Sequence, residues 1–132
     1  MLKVFISGHS QGLGAEILKH LSNRGDCDVQ GGSRKNGFDI SSVEGRKTLV
    51  EACKDQDVIV LNSHDGFSQV ELLFDLFQKY FDQNKRIIVL GSLSGIGVKN
   101  FLHPYAIEKK ALIEACRQIQ NSHSNLTVTV WN

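Results

Sequence analysis

Short apolar segments alternate with amphipathic helical segments along the whole chain, and this alternation restricts the fold more than any other feature of the sequence. The segments of strand character are almost continuously apolar, which is typical of strands buried on both faces. Strands of this kind, each followed by a helix, form a parallel sheet with helices on both sides. The sequence therefore predicts a doubly wound α/β fold. The predicted strands are 2–7, 27–32, 37–40, 57–62, 86–91 and 126–131, and the predicted helices end near residues 23, 54, 81 and 120.

The length and composition agree with one globular domain over residues 1–132. A chain of 132 residues is long enough for one hydrophobic core and too short for two. Hydrophobic residues make up 41% of the chain and charged residues 22%, which argues against disorder. Lys and Arg number 15 and Asp and Glu number 14, so a net charge of +1 provides no broad basic surface for nucleic acid or an anionic membrane.

Nothing in the sequence resembles a targeting or membrane segment. The N-terminal apolar run is too short for a secretory signal, and no stretch reaches the ~18–20 apolar residues of a membrane span. Cys27, Cys53 and Cys116 form no CxxC pair, and their spacing matches no zinc site. We therefore expect a cytoplasmic protein with three reduced thiols, no metal site, and no membrane or nucleic-acid partner.

A glycine-rich turn, spaced G-x-x-x-G-x-G, follows the first predicted strand and precedes a helix. Gly8 permits the sharp turn, Gly12 lets the backbone approach a phosphate, and Gly14 lets the helix pack closely. Free N–H groups and the positive dipole at the helix start favour an anionic pyrophosphate. The turn predicts nucleotide binding by a Rossmann-like sheet of about six strands in the order 3-2-1-4-5-6, and the alternative is a structural turn without ligand. The candidate binding positions are Gly8, Ser10, Gln11, Gly12, Leu13 and Gly14, whereas His9 is expected to face solvent.

The end of the second strand selects the nucleotide in folds of this type. An acidic residue there binds the ribose 2′-hydroxyl, whereas a basic residue accommodates a 2′-phosphate. The chain has Ser33, Arg34 and Lys35 and no acid at this point, which favours NADP(H), with NAD(H) as the alternative. Both cations are otherwise ordinary solvated loop charges. Asp39 and Ile40 follow the short third strand, where they either meet an adenine edge or, for Asp39, cap the next helix.

A tyrosine and a lysine four residues apart open the last predicted helix. Tyr105 and Lys109 fall on one helix face, so their polar ends converge. An ammonium near a phenol, whose reference pKa is about 10, stabilises the phenolate and adapts the group to acid–base work. Ser92 follows the preceding strand, at the sheet edge where doubly wound folds bind ligands, and its hydroxyl can hold a carbonyl oxygen. Taken alone, the Tyr–Lys pair more often means a packed aromatic residue beside a surface lysine.

In this order and on these elements, the motifs resemble those of the short-chain dehydrogenase/reductase family. The glycine turn is similar to the family's Thr-Gly-x-x-x-Gly-x-Gly segment, with Ser in place of Thr. Residues 57–64 run parallel to its strand ending in Asn-Asn-Ala-Gly, of which only one Asn remains. The likeness covers essentially the whole chain. The positions that carry it are Ser7, Gly8, Gly12, Gly14, Asp39, Ile40, Asn62, Ser92, Tyr105 and Lys109.

The resemblance implies an oxidoreductase that transfers hydride between NAD(P)H and a small carbonyl or alcohol substrate. By this resemblance Tyr105 is the acid/base, and Lys109 binds the nicotinamide ribose and lowers the pKa of the tyrosine. Ser92 orients the substrate carbonyl, and its thirteen-residue distance from the tyrosine favours it over Ser94.

Two departures from the family's pattern bear on these roles. Asn62 and Ser92 are only thirty residues apart, and the shortened part is where the family carries its proton-relay Asn. Asn62 itself, or Ser63 at the start of the shortened helix, is the candidate substitute. The sequence also stops after the last strand, so we expect the substrate-covering segment of the family to be missing. A partner subunit or a small substrate pocket is the expected compensation.

Two helices carry more apolar surface than one core-facing side requires. Apolar residues surround much of the helices 67–81 and 105–120, and a helix apolar on several sides buries the excess somewhere. A deep core is one explanation. In a domain of this size we favour an interface, and in the resembling family these helices pair across a dimer axis, so a homodimer or homotetramer is expected.

Two further functions are compatible with the same motifs. The first is a module that binds or senses NADP(H) without turnover. The second is a purely structural oligomerisation domain, which the intact glycine turn disfavours. Ser92, Tyr105 and Lys109 favour the enzyme over both.

Overall fold

Strands and helices follow one another as the sequence pattern predicts. The computed structural model describes residues 1–92, 95 and 100–131. All four predicted helices and five of the predicted strands are present, with boundaries within a few residues of the predicted ones. The strands are β1 (Leu2–Ser7), β2 (Cys27–Gly32), β3 (Val58–Leu61), β4 (Arg86–Leu90) and β5 (Thr127–Trp131), and the helices are α1 (Gly12–Ser22), α2 (Val43–Ala52), α3 (Ser68–Tyr80) and α4 (Pro104–Gln120).

The five strands form a single parallel sheet in the order β2-β1-β3-β4-β5. Ser7 at the end of β1 lies opposite Gly32 on one side and Leu61 on the other, and Leu90 of β4 lies opposite Trp131. The carboxyl ends of all strands therefore meet along one edge. In open α/β sheets this is the edge that binds ligands, next to the point where the strand order reverses.

The predicted strand at residues 37–40 is wrong, and the sheet has five strands rather than six. A short 3-10 turn at Arg34–Asn36 ends at Gly37, whose φ of +96° turns the chain back. The N–H of Phe38 then bonds the carbonyl of Ser33, and the Asp39 carboxylate accepts from the N–H and the hydroxyl of Ser41. Because these groups bond locally, the segment does not extend along β2. The order of the remaining strands is the predicted one.

Three helices cover one face of the sheet. Leu49 of α2, Leu73 of α3 and Leu112 of α4 are buried in a single cluster against the strands. Parallel strands joined by right-handed crossovers place these helices on one side and α1 on the other. The sheet residues in this cluster are Phe5, Ile59, Leu61, Ile87, Val89 and Val128.

The opposite face of the sheet carries a smaller core. Among the described residues, the helix that packs there is α1, through Ile17, Leu18 and Leu21. An apolar groove of about 580 Å³ remains between α1 and the strands. Its lining includes Val60 of β3 and Trp131 of β5, whose side chain is largely exposed. This face is therefore less completely covered than the other.

The C-terminal end of α2 is closed by a buried lysine from the segment before β4. Lys85 is 6% exposed, and its Nζ lies 4.8 Å from the centre of the Tyr80 ring. Burial lowers the pKa of this ammonium. The Nζ donates to three carbonyl oxygens, those of Cys53, Lys54 and Gln56, at 3.0, 2.7 and 2.7 Å. The three carbonyls lie just beyond the last residue of α2, and that of Cys53 also accepts the N–H of Gln56, so Lys85 completes the hydrogen bonding of this chain reversal.

Cys27, Cys53 and Cys116 form no disulfide. Burial raises the pKa of Cys53 and of Cys116 to about 12, so both thiols stay protonated at neutral pH. Of the helices in the described part of the chain, none has the length and apolarity that a membrane crossing requires.

Candidate functional site

The glycine-rich turn joins β1 to α1 at the carboxyl edge of the sheet. Gly8 has a φ of +73° and donates its N–H to the carbonyl of Gly32 in β2. Gly12 has a φ of +55°, and apart from its chain neighbours and its own helix backbone no atom of the described residues lies within 4 Å of the position that a Cβ would take there. At Gly14 a Cβ would lie 2.0 Å from the carbonyl oxygen of Gly8. Two of the three glycines thus allow left-handed backbone, and the third allows the helix to pack against its own turn.

Hydrogen bonds from the end of β3 hold this turn in place. The Asn62 side-chain N–H donates to the carbonyl of Gly8 at 3.0 Å, and its backbone N–H donates to Ser7 Oγ at 3.1 Å. The backbone N–H of Ser63 lies 3.4 Å from the same hydroxyl. Asn62 therefore has a clear structural contact, and its role as a proton-relay residue stays a prediction. Ser63 lies in a loop, since α3 begins only at Ser68, so its expected place at the helix start is wrong.

A cleft of about 250 Å³ opens above the turn. It contains predicted binding positions from three separate segments of the chain, which meet at the switch point of the sheet. Gly12, Leu13 and Gly14 belong to the first turn of α1 and Lys35 to the 3-10 turn, outside this lining. The lining residues are Gly8, Ser10, Gln11, Ser33, Arg34, Phe38, Asp39, Ile40, Asn62, Ser63, His64 and Asp65.

Arg34 crosses the mouth of the cleft. Its guanidinium lies 3.5 Å from the Asp39 carboxylate and 3.9 Å from that of Asp65, and its side chain is 69% exposed. Hydrogen bonds from Ser41, with a smaller contribution from Arg34, lower the pKa of Asp39. Asp39 therefore stays ionised and also orders the turn ahead of α2, while Ile40 is buried in the core. Asp65 carries no signal in the sequence, because its contact with Arg34 depends on the fold.

His9 departs from its expected position. A Cβ on Gly31 would lie 2.2 Å from the His9 ring, so the imidazole packs directly on the backbone of β2. Its Nδ1 is buried and has no hydrogen-bond partner among the residues that the structure describes. The expectation that His9 faces solvent is wrong, because the glycine on β2 leaves room for the ring.

Tyr105 and Lys109 lie in the first two turns of α4 and converge as predicted. The Lys109 Nζ lies 5.7 Å from the centre of the Tyr105 ring. The helix start is fixed by His103, whose Nδ1 accepts from the N–H of Ala106 at 3.0 Å. Tyr105 is 40% exposed, whereas Lys109 is only 4% exposed. Burial lowers the pKa of Lys109, and the charge of Glu108 opposes this in part.

A histidine–glutamate contact that the sequence did not predict lies beside the tyrosine. His64 Nε2 lies 3.0 Å from the Glu108 carboxylate. The His64 ring meets the Tyr105 ring edge to face, with 4.9 Å between their centres. His64 also lines the cleft above the glycine turn. It therefore connects the cleft to the Tyr–Lys pair, although the sequence showed it only as a departure from the family's pattern.

Ser92 lies two residues beyond the end of β4 and is half-buried. Its carbonyl accepts the N–H of Gly95 at 2.9 Å. The carbonyl of Leu90, two residues earlier, contacts the Lys109 Nζ at 3.4 Å. The carboxyl end of β4 thus brings Ser92 to the same sheet edge as Lys109. The rival position, Ser94, lies outside the described residues.

The residues at the cleft fit an anionic dinucleotide. No side chain of the described residues caps the start of α1, and the first turn of that helix carries no acid. The N–H groups there are therefore available for phosphate. The Ser63 hydroxyl lines the cleft, and its oxygen is buried with no partner in the described part of the chain. Open space at Gly12 leaves room for a ligand next to the backbone.

At the level of sequence, no family model and no curated protein matches the chain. Solved structures do match it. A short-chain dehydrogenase from Burkholderia cenocepacia J2315 in complex with NADP superposes with a TM-score of 0.82 at 19% identity, over 98% of this chain and 70% of that one. The chain has a short-chain dehydrogenase/reductase fold.

Other structures of this fold bind different nicotinamide cofactors. A small-chain dehydrogenase in complex with NADPH has a TM-score of 0.80 at 17% identity, over 98% of this chain and 68% of that one. A UDP-glucuronic acid 4-epimerase from Bacillus cereus in complex with NAD has a TM-score of 0.71 at 14% identity, over 98% of this chain and 55% of that one. The short-chain dehydrogenase/reductase fold therefore accepts either form of the cofactor.

Proposed function

We propose that the protein is an NADP(H)-dependent oxidoreductase that interconverts a small carbonyl compound and its alcohol. The observation that carries this proposal is the convergence of Tyr105 and Lys109 at the sheet edge that also holds the glycine-turn cleft. A dinucleotide site alone supports binding. A phenol and an ammonium beside it provide what proton transfer to a carbonyl oxygen requires.

The cleft residues bind the cofactor in this proposal. The backbone at Gly12 and the start of α1 contact the pyrophosphate, and Ser10, Gln11 and the Ser63 hydroxyl line its path. Asp39 and Ile40 lie where an adenine edge would be met. A bound nicotinamide supplies or accepts the hydride.

Arg34 is the residue that favours the phosphorylated cofactor. Its guanidinium is exposed at the cleft mouth, next to Ser33 in the lining. A planar guanidinium binds phosphate through two parallel hydrogen bonds. A 2′-phosphate replaces the contacts with Asp39 and Asp65, which at 3.5 and 3.9 Å are long for hydrogen bonds.

Three side chains carry out the reaction in this proposal. Tyr105 donates the proton to the carbonyl oxygen in reduction and removes it in oxidation. The Lys109 ammonium, 5.7 Å from the centre of the ring, places a positive charge beside the Tyr105 phenol. Ser92 donates a hydrogen bond that holds the carbonyl oxygen in place. Lys109 also contacts the nicotinamide ribose.

The first experiment measures cofactor binding and turnover separately. NADPH and NADH binding is followed by nucleotide fluorescence, and NADPH oxidation is followed with a panel of small aldehydes and ketones. Oxidation with one of them supports the proposal. Binding without any oxidation identifies the module that holds or senses NADP(H). Failure to bind either cofactor excludes both functions.

The second experiment replaces the acid/base. Tyr105→Phe removes the hydroxyl alone, and we expect turnover to fall by roughly 10²–10⁴-fold while NADPH still binds. Tyr80→Phe is the matched control, since its hydroxyl bonds the carbonyl of Val50 inside the core. That control loses some stability and keeps its activity. Turnover retained in Tyr105→Phe excludes the proposed mechanism.

We also propose that the protein assembles through α3 and α4. The two helices contact each other on one face of the sheet. Phe74 and Ile107 are each 46% exposed on them. Phe74→Asp is expected to yield monomers by light scattering, whereas Phe101→Asp, an exposed residue outside both helices, leaves the dimer or tetramer intact. A monomeric wild-type protein contradicts this assembly.

A further inference from the structure

Gln69 is a polar residue at one of the most buried positions of α3. It is 2% exposed, and Leu72, Leu73 and Leu76 of the same helix are fully buried. A primary amide in such surroundings costs free energy unless its hydrogen bonds are made. Its partners therefore show what the residue does.

The two ends of the Gln69 amide connect two different elements. Nε2 donates to the carbonyl of Leu61, the last residue of β3, at 3.0 Å. Since a carbonyl accepts only, this contact fixes the NH₂ end of the amide. The oxygen then faces Lys109, whose Nζ lies 3.4 Å from Oε1.

The Lys109 ammonium contacts neutral oxygens. Besides Gln69, its Nζ contacts the carbonyl of Leu90 at the end of β4, at 3.4 Å. The neighbouring carboxylate, Glu108, is engaged with His64. Within the described part of the chain, no ion pair neutralises Lys109, so its charge acts on the Tyr105 ring 5.7 Å away.

We propose that Gln69 is a positioning residue, which holds the Lys109 ammonium between the carboxyl ends of β3 and β4. This inference rests on the proposed oxidoreductase function for its consequence in catalysis. The contact itself does not depend on that function. A neutral amide orients the lysine and leaves its charge available to Tyr105.

The protonation of Lys109 reports the contact directly. Burial lowers the pKa of Lys109, and a hydrogen-bond acceptor favours the charged form. Gln69→Leu removes the acceptor and is expected to lower that pKa further, by about one unit. Gln69→Glu replaces it with a carboxylate and is expected to raise the pKa by about one unit or more.

The experiment follows the lysine side chains by NMR. Protein with ¹³C,¹⁵N-labelled lysine is titrated, and the Lys109 signal is assigned with Lys109→Arg. Gln78 lies exposed on the same helix, so Gln78→Leu and Gln78→Glu are the matched controls and leave the titration unchanged. The near-isosteric Gln69→Glu keeps the test valid if the leucine variant does not fold. A Lys109 titration that is the same in Gln69→Glu as in the wild type overturns the inference.

An activity measurement separates this inference from the proposed function. If both hold, the alkaline loss of turnover begins at lower pH in Gln69→Leu, because Lys109 loses its proton earlier. In Gln69→Glu the loss begins at higher pH, while the maximal rate falls since the lysine charge is neutralised. A shifted titration in a protein without turnover supports the positioning role and excludes the oxidoreductase. Turnover with an unshifted titration supports the oxidoreductase and excludes the positioning role.

Discussion

Gly14→Ala tests how tightly the glycine turn packs on its own helix. The new Cβ would lie 2.0 Å from the Gly8 carbonyl oxygen and 2.5 Å from Asn62 Nδ2. Ordinary contact begins at 3.4 Å, so the turn or the helix has to move by more than 1 Å. Both atoms belong to the bond that ties β3 to the turn. The substitution therefore disturbs the cleft as well as the packing.

The expected magnitude follows from three contributions. Overpacking costs about 1–3 kcal/mol, and the weakened Asn62–Gly8 hydrogen bond costs about 1 kcal/mol. Alanine in a helix recovers about 1 kcal/mol relative to glycine. The free energy of unfolding should therefore fall by about 2 kcal/mol. For a chain of this size the midpoint temperature should fall by roughly 5 °C.

Urea denaturation measures the free energy of unfolding of Gly14→Ala. NADPH fluorescence measures its affinity for NADPH, which we expect to fall. Gly12→Ala is the control for the stability measurement alone, because open space surrounds that position and only the positive φ opposes a side chain in the unliganded protein. The side-chain amide signal of Asn62 should shift in Gly14→Ala and stay in place in Gly12→Ala. Helix propensity alone predicts that Gly14→Ala raises the free energy of unfolding. A stabilised variant would therefore refute the packing argument.

Three further predictions concern charge and burial. Arg34→Asp should weaken NADPH binding by roughly 10- to 100-fold and NADH binding much less. Lys35→Asp serves as control, because Lys35 lies outside the cleft lining. Equal effects of Arg34→Asp on both cofactors exclude Arg34 from binding the 2′-phosphate. Lys85→Met removes three hydrogen bonds beyond the end of α2, although the Cys53 carbonyl keeps the N–H of Gln56, and should lower the free energy of unfolding in urea by about 3 kcal/mol; an unchanged midpoint contradicts the capping role. Cys53 and Cys116 have folded pKa values of about 12 against 9.0 for the free thiol, so the unfolded chain loses these protons first. The contribution of each thiol to the free energy of unfolding is then complete below pH 9 and falls by about 1.4 kcal/mol per pH unit above it. The double variant Cys53→Ala, Cys116→Ala should lose this alkaline decrease in stability. An identical decrease in the double variant refutes the link to the two thiols.

Local patterns in the sequence were sufficient for most of the elements. Most of the predicted strands that are present are runs of apolar residues, with β2 (CDVQGG) the weakest, and their order is the one typical of Rossmann-like folds. The Tyr105–Lys109 pair was equally predictable, because a separation of four residues within one helix brings the side chains together whatever the rest of the chain does. The glycine turn was predictable for the same reason, because its glycines lie within one short segment of the chain.

The failures share a physical cause. Phe38 and Ile40 alternate as in a strand, yet they reach the core from a turn that Gly37 and Asp39 stabilise by short-range bonds. The apolar pattern indicates which residues are buried. It does not show whether the backbone that carries them is a strand or a turn. For this reason residues 37–40 were predicted to form a sixth strand although they form a turn.

The missed site residues depend on long-range contacts. His64 meets Glu108 across forty-four positions, and Gln69 meets Lys109 across forty. Neither residue stands out in its own segment, since a histidine in a loop and a glutamine in a helix are ordinary. Their importance arises only when α3 and the segment before it are brought against α4. A sequence without aligned relatives contains no trace of such pairings.

Among the described residues, α1 is the helix that covers the second face of the sheet, and this has a thermodynamic consequence. α1 supplies both the first turn of the proposed cofactor site and most of the packing on that face. Any fluctuation that lifts α1 from Val4 and Val60 therefore dismantles the binding turn as well. Cofactor affinity and the local opening of α1 become linked quantities, so the ligand slows amide hydrogen exchange in this helix before it slows exchange in the three-helix layer.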